Sequence, residues 1–331
     1  MPRLRRVSAN SPGWSRKRVG RGFRYTDEHG APLAAEQVER VRSLAIPPAW
    51  RDVWICPYPN GHLQATGLDA AGRRQYLYHP RWRELRDRAK FDRVIGAAEH
   101  LPAARRRVAA DLAGDGMPLE RAAALAVRLL DLGYFRIGND FYADSNGSYG
   151  LTTLERRHVR RAGDGLEFRF VGKSGIEHNV TIADPQVVAA LEVMRRRRGG
   201  TRLLAYRNGA GWADLVAGTV NAYLSEIFGG EFTAKDFRTW HATVIAAESL
   251  ALSELATSAT ARKRAVKAAM VVVSGYLGNT PTMARSAYVD PRILDLYDSG
   301  LTIAEAARRK YRTATARQAG LERAVLDLLA G

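Results

Sequence analysis

Apolar and polar residues alternate over short stretches in the first third of the chain, which is the pattern of half-buried strands. The alternating stretches are 50–57, 62–68 and 75–78, and turn-forming Pro, Asn and Gly residues separate them. The segment 34–44 instead has apolar residues at a spacing of three, which is typical of a helix. We therefore predict a small antiparallel sheet with helices in this region.

From about residue 94 the apolar spacing becomes helical for most of the chain. We predict helices over 94–113, 118–133, 140–146, 184–195, 213–227, 235–252, 259–274 and 302–318. The densely charged residues 81–92 predict a helix that leads into a linker. Alternating patterns at 156–161, 166–172 and 176–182 interrupt the helices, and they predict a three-stranded insert whose first turn is Asp164-Gly165.

These patterns place the chain in the α+β class. We predict a small N-terminal β-sheet domain over 1–88 and a larger, mainly α-helical domain with the β insert over 89–331. A length of 331 residues is consistent with about two domains.

The charge balance of the chain indicates its binding partner more clearly than its overall composition does. Lys and Arg number 51 against 34 Asp and Glu, so the net charge is +17. Such a surplus attracts polyanions, above all nucleic acid. Residues 1–22 hold seven Lys and Arg and no acidic residue, which predicts a flexible basic arm that contacts phosphates. No run of 18 apolar residues occurs, so we expect no membrane partner. We also expect a cytoplasmic, nucleoid-associated protein.

Candidate chemistry lies in four short segments of the helical region. They are Arg136-Ile137-Gly138-Asn139-Asp140, the hairpin tip with Lys173, Lys235-Asp236-Phe237-Arg238, and Leu277-Gly278-Asn279 followed by Tyr288. Each segment by itself is weak evidence, because a single Arg, Lys or Tyr of this kind is usually a surface ion pair, a solvated side chain or a half-buried ring.

Together the segments resemble the active site of type IB DNA topoisomerases in their small poxvirus-like and bacterial form. The order Arg, hairpin Lys, K-x-x-R, L-G-[HN] and Tyr is that of this family. The tyrosine recombinases share the order and the catalytic fold, but Lys235 replaces the His of their H-x-x-R motif. Ile46-Pro47-Pro48-Ala49-Trp50 and the segment from Gly72 to Tyr78 are similar to the family's N-terminal domain.

The resemblance implies a metal-free and ATP-independent relaxation of supercoiled DNA. Tyr288 would attack a phosphodiester and form a 3′-phosphotyrosyl bond. Arg136 and Arg238 would bind the phosphate oxygens, and Lys173 would donate a proton to the leaving 5′-hydroxyl. Asn279 stands where many relatives have His, and an amide binds phosphate but does not titrate. His241 matches no catalytic position, and we interpret it as a packing residue.

The resemblance also implies contacts with double-stranded DNA outside the reaction centre. The predicted contact residues are Arg73, Arg74, Gln75, Tyr76, Tyr78, Tyr142 and Lys235. An alternative for Tyr76 and Tyr78 is that they form one buried face of a sheet. We expect a monomer clamped around the duplex and no small-molecule substrate.

We expect neither a cofactor nor a metal. The only cysteine is Cys56 and no H-E-x-x-H motif occurs. Gly172-Lys173-Ser174 resembles the end of a P-loop, but Glu167 stands where that motif needs Gly. Two other functions remain open from the sequence: a tyrosine recombinase that exchanges strands, and a non-catalytic basic DNA-binding module.

Overall fold

The computed structural model describes residues 3–140, 147–209, 211–230, 232–253 and 258–331. The chain divides into two compact units, Met1–Lys90 and Phe91–Gly331. Every helix among the described residues is too short or too polar to span a bilayer.

A five-stranded antiparallel sheet forms the first unit. Its elements are β1 (Trp14–Val19), β2 (Gly22–Thr26), α1 (Ala35–Ser43), β3 (Arg51–Ile55), β4 (Leu63–Leu68) and β5 (Arg74–Tyr78). The strand order is β2-β1-β3-β4-β5, so β5 is an edge strand. Trp14, Val53, Ile55 and Ala65 pack against Val41 of α1 and form a small core. The predicted N-terminal antiparallel sheet is confirmed.

The prediction of a flexible basic arm over 1–22 is wrong for residues 14–19, which form strand β1 inside the sheet. Alternation along the strand places Trp14 and Arg16 on the packed side, where both are buried. The Arg16 guanidinium donates to the carbonyls of Ile46, Pro47 and Trp50 at 2.9–3.0 Å. Because three carbonyls satisfy this buried cation, a basic stretch can form an interior strand.

Helices form most of the rest of the described chain. They are α2 (Pro80–Ala98), α3 (Leu101–Leu112), α4 (Leu119–Gly133), α5 (Pro185–Arg196), α6 (Ala217–Phe228), α7 (Ala234–Leu252), α8 (Ala259–Leu277), α9 (Pro281–Ala287), α10 (Pro291–Asp298), α11 (Ala304–Arg308) and α12 (Ala314–Ala330). α7 lies in the centre of the second unit, with Phe237 and Trp240 fully buried.

Two small antiparallel sheets accompany these helices. One is the predicted three-stranded insert, made of β6 (Val159–Ala162), β7 (Gly165–Val171) and β8 (Glu177–Ile182) in the order β6-β7-β8. The other is a hairpin of β9 (Ala205–Asn208) and β10 (Gly211–Asp214). The predicted mainly helical domain with a β insert is confirmed.

Several predicted helices have other bounds. α2 continues to Ala98 instead of ending near residue 92, and the helix predicted over 94–113 breaks before α3. The break coincides with Pro102, which has no N–H for an interior hydrogen bond and suits the first turn of a new helix. The helix predicted over 213–227 begins only at Ala217, because residues 211–214 pair with β9.

The helix predicted over 302–318 is two helices, because Thr313 starts α12 anew by accepting the Ala316 N–H at its side chain. The helices α9 and α10, around Tyr288, were not predicted. The helix predicted over 140–146 has residues 141–146 outside the described part of the chain.

Candidate active site

Tyr288 directly follows the short helix α9, and its side chain is buried to 7% exposure. Its backbone N–H donates to the Ala284 carbonyl at 3.1 Å. Nη1 of Arg136 donates to the Tyr288 hydroxyl at 3.4 Å. The Arg238 guanidinium carbon lies 5.4 Å from the centre of the Tyr288 ring. The structure therefore brings together three of the five predicted catalytic residues.

Arg238 lies in the first turns of α7 and is almost completely buried. It donates to the carbonyls of Tyr134 and Leu277, the latter at 2.6 Å. Burial and the neighbouring charge of Arg136 lower the pKa of Arg238 to about 10. The guanidinium is therefore cationic at neutral pH, and two backbone carbonyls hold it facing the phenol.

Arg136 is placed by a sharp turn after α4. Tyr134 adopts left-handed backbone angles, with φ of 55°, and ends the helix. The predicted end of this helix at residue 133 agrees with α4, and the left-handed residue is the next one along the chain. Gly133 has another role, because a Cβ there would lie 2.2 Å from the Phe135 ring. The turn leads into Arg136, whose carbonyl accepts the Leu151 N–H at 2.7 Å.

Charge and burial act in opposite directions on the Tyr288 phenol. Burial alone would raise its pKa, but the charges and hydrogen bonds of Arg238 and Arg136 outweigh burial and lower the pKa below the usual value near 10. A lowered pKa makes the phenolate, which is the nucleophilic form, more accessible.

Several buried polar atoms of the predicted catalytic residues have no hydrogen-bond partner within the described part of the chain. They are Nε of Arg136, Nε of Arg238, and both amide atoms of Asn279. Asn279 follows Gly278, whose carbonyl accepts a hydrogen bond from Arg136 at 3.4 Å. Buried polar atoms are normally paired, so this cluster has unused capacity to bind an anion such as a phosphate.

Lys173 lies at the tip of the β7–β8 hairpin, as predicted, in a tight turn in which Ser174 has a left-handed φ of 66°. The side chain is exposed. The Gly172 N–H donates to the Ile176 carbonyl at 2.8 Å and closes the turn. β8 also lines a groove together with Tyr134, Gly278 and Asn279, so the hairpin borders the same site.

The predicted DNA contacts of the first unit lie on and beside the edge strand β5. Tyr76 and Tyr78 are exposed and stacked, with ring centres 6.1 Å apart, so the alternative of a buried face is wrong. Arg74 is exposed on the same strand. Nε of Arg73 and Nε2 of Gln75 both donate to Oδ2 of Asp69, at 3.0 and 2.9 Å.

The two remaining predicted DNA contacts are in the second unit. Lys235 is exposed in the first turn of α7, one turn before Arg238. Tyr142 lies outside the described residues. Among the described residues, no group of three or more His, Cys, Asp or Glu side chains has an arrangement that would hold a metal ion.

Sequence reasoning missed a buried ionic cluster behind the site. Nε2 of His241 lies 3.1 Å from Oδ1 of Asp131. Arg105 of α3 makes paired hydrogen bonds to Asp131 of α4 and Glu322 of α12, at 2.6–2.9 Å. His241 packs on Tyr134, with ring centres 4.8 Å apart. The cluster joins helices α3, α4, α7 and α12. It lies behind Tyr134, whose carbonyl accepts a hydrogen bond from Arg238.

Arg105→Ala should destabilise the second unit strongly. Its loss leaves two buried carboxylates, Asp131 and Glu322, without their main cation, and breaking such a cluster costs about 3–5 kcal/mol. Urea unfolding measures the change. Arg323→Ala, on the exposed face of the same C-terminal helix, is the matched control and should change stability little.

The destabilisation should depend on pH. Burial would raise the pKa of Asp131, but His241 and Arg105 hold it well below its usual value. A depressed folded-state pKa stabilises the fold above the unfolded pKa of about 4. The difference between wild type and Arg105→Ala should therefore shrink as pH falls below about 4, and an equal difference throughout would contradict the assignment.

Comparisons with known proteins agree on one family. A family model described as eukaryotic DNA topoisomerase I, catalytic core, matches residues 79–314, which include all five predicted catalytic residues. A model described as bacterial DNA topoisomerase IB, N-terminal domain, matches residues 22–69.

Two curated proteins are similar to this chain. DNA topoisomerase 1B of Acanthamoeba polyphaga mimivirus is 28% identical over 284 residues, which cover 83% of this chain and 84% of that protein. DNA topoisomerase 1 of Schizosaccharomyces pombe (strain 972 / ATCC 24843) is 27% identical over 168 residues, which cover 50% of this chain and 19% of that protein.

Proposed function

Because this chain belongs to the type IB DNA topoisomerase family and is an isomerase that acts on DNA, we propose that Tyr288 is its nucleophile. Tyr288 attacks a phosphodiester of duplex DNA, forms a 3′-phosphotyrosyl bond and later releases the strand again. The nicked duplex rotates between the two steps, which relaxes supercoils. The reaction needs neither ATP nor a metal, and the protein works as a monomer.

The position of Tyr288 beside two arginines carries this proposal. Negative charge grows on the non-bridging oxygens of the phosphate as the phenol oxygen attacks. Arg136 donates to the phenol oxygen and Arg238 lies beside the phenol ring, and their charged, forked donors suit phosphate. The unpartnered donor of Asn279 adds a third group. Donors that are already in place for developing charge are commonly the largest contribution to catalysis.

The residues of this chain, together with water, account for each bond and proton in the proposed reaction. The bond from Tyr288 Oη to phosphorus forms as the bond from phosphorus to the 5′ oxygen breaks. The phenol proton leaves to water. Nζ of Lys173 gives a proton to the 5′ oxygen, which would otherwise leave as an unstable alkoxide. Religation reverses each step: the 5′-hydroxyl returns its proton to Lys173 and attacks the phosphotyrosine.

Duplex DNA is the proposed partner, and charge supports it. The chain carries +17. Tyr76 and Tyr78 expose their rings and hydroxyls on an edge strand, beside Arg74. Hydroxyl and guanidinium donors at such a surface suit phosphate oxygens, which position a protein on a duplex.

The purified protein should relax a negatively supercoiled plasmid in EDTA without ATP. Added magnesium and ATP should not be required at any enzyme concentration, and an agarose gel of the topoisomers is the readout. A strict need for ATP or a metal would contradict the proposal. Joint molecules between defined sites would indicate a recombinase, and plasmid binding without relaxation would indicate a non-catalytic module.

A further inference from the structure

His178 lies on β8 opposite Phe170 of β7, five residues after Lys173. Its imidazole stacks on the Phe170 ring, with ring centres 4.9 Å apart and planes 7° apart. Phe170 is itself buried in the core of the second unit. The imidazole therefore has a fixed support, and it is half-buried at the edge of the groove beside the active site.

Two glycines leave room for this ring, each at one of the two edges that meet at Nε2. A Cβ built on Gly172 would lie 2.7 Å from Cδ2 and Nε2 of His178, and one built on Gly278 would lie 2.3 Å from Cε1. Carbon atoms in contact are normally about 3.5–4.0 Å apart. Neither position therefore has room for a side chain while the imidazole is present.

Each glycine belongs to a different part of the proposed active site. Gly172 precedes Lys173 and closes its turn by donating to Ile176. Gly278 precedes Asn279, and its carbonyl accepts a hydrogen bond from Arg136. The imidazole is thus a spacer between the turn that carries Lys173 and the segment that carries Asn279 and holds Arg136.

The electrostatic surroundings suit a neutral spacer. Burial, and then the charges of Arg238 and Arg136, lower the pKa of His178 below its usual value near 6.5. The ring is therefore uncharged at neutral pH and does not repel the two arginines.

We propose that His178 is a positioning residue that sets the distance between the Lys173 turn and the Arg136–Asn279 side of the active site. The inference rests on the proposed role of Lys173 as the proton donor. His178 itself touches neither the phosphate nor the leaving oxygen. It acts by holding the backbone of the Lys173 turn, so its loss should affect mainly the proton-transfer part of cleavage.

The test compares single-turnover cleavage of two suicide DNA duplexes, one with an ordinary 5′ oxygen and one with sulfur at the bridging 5′ position. A thiolate leaves without a proton donor. His178→Ala should slow cleavage of the oxygen substrate about 10- to 100-fold, the range for a displaced catalytic group. The sulfur substrate should recover most of this loss.

A matched control is His158→Ala. His158 is another half-buried imidazole of the second unit, in edge-to-face contact with Tyr149 at 4.4 Å between ring centres. The His158→Ala variant should cleave both substrates at the wild-type rate. DNA binding and the thermal midpoint of each variant show whether the protein is folded.

A second pair of variants tests the contact itself. Gly172→Ala adds a methyl group against the imidazole and should displace the Lys173 turn, with the same recovery on the sulfur substrate. Gly172→Ala combined with His178→Ala removes the clash, so the double variant should cleave the oxygen substrate faster than Gly172→Ala alone.

Three outcomes would overturn the inference. They are wild-type cleavage by His178→Ala, an equal loss on both substrates, and a Gly172→Ala defect that His178→Ala leaves unchanged. Lys173→Ala in the same assay separates the two proposals. If sulfur does not rescue Lys173→Ala, the assignment of Lys173 fails. If sulfur rescues Lys173→Ala but not His178→Ala, only the role of His178 fails.

Discussion

Tyr288→Phe should abolish covalent attachment to DNA and all plasmid relaxation. The variant keeps the ring that packs beside Arg238 and removes only the hydroxyl beside Arg136. No bond to phosphorus can then form, while the arginines still hold the phosphate. Adduct formation with a labelled oligonucleotide on a denaturing gel measures the first effect. A filter-binding assay should show nearly unchanged duplex affinity.

The matched control for this variant is Tyr297→Phe. Tyr297 is another buried tyrosine of the second unit, on α10, and its hydroxyl lies 3.3 Å from the Ser253 hydroxyl. The Tyr297→Phe variant should still form the covalent adduct and relax plasmid DNA. A persistent adduct in Tyr288→Phe would assign the nucleophile to another residue, and mass spectrometry of the wild-type adduct would identify the modified side chain and the DNA end.

Lys173→Ala should slow cleavage by about 10²–10⁴-fold, the usual contribution of a general acid. The exposed side chain at the hairpin tip contributes little to packing, so the fold and the duplex affinity should survive. A substrate with a bridging 5′ sulfur should recover most of the loss, because a thiolate leaves unprotonated. Single-turnover cleavage of the two substrates measures the ratio.

Lys310→Ala is the control for the loss of a positive charge. Lys310 is also an exposed lysine of the second unit, in the loop before α12. The Lys310→Ala variant should cleave both substrates at the wild-type rate. If Lys173→Ala were slow on both substrates to the same degree, Lys173 would act by binding the phosphate and not as the acid.

Local sequence signals predicted the elements whose apolar spacing is regular. The strands β3 to β5 and the helices α4 and α7 lie within a few residues of their predicted bounds. The prediction failed where a distant part of the chain decides the outcome. β1 is the clearest case, because its arginine is buried only where the carbonyls of Ile46, Pro47 and Trp50 meet it.

The candidate site also contains residues that the sequence identified and residues that only the structure revealed. Tyr288, Arg136, Arg238, Lys173 and Asn279 could be named from the sequence, because their order and residue types are those of a known family. Asp131, Arg105 and Glu322 could not, because charged residues on helix surfaces are common. The one available signal was Asp131 itself. A carboxylate in the apolar helix α4 needs a buried partner, which the sequence does not identify.

The sequence by itself determined the class of the protein, the elements with strong periodicity and the residues that can do the chemistry. Only the tertiary structure decided which of those residues meet. It placed the Tyr288 hydroxyl beside Arg136 and the imidazole of His178 against Gly172 and Gly278. The physical reason is that periodicity records which face of an element is buried, whereas a site depends on contacts between distant side chains, such as Arg136 and Tyr288, which are 152 positions apart.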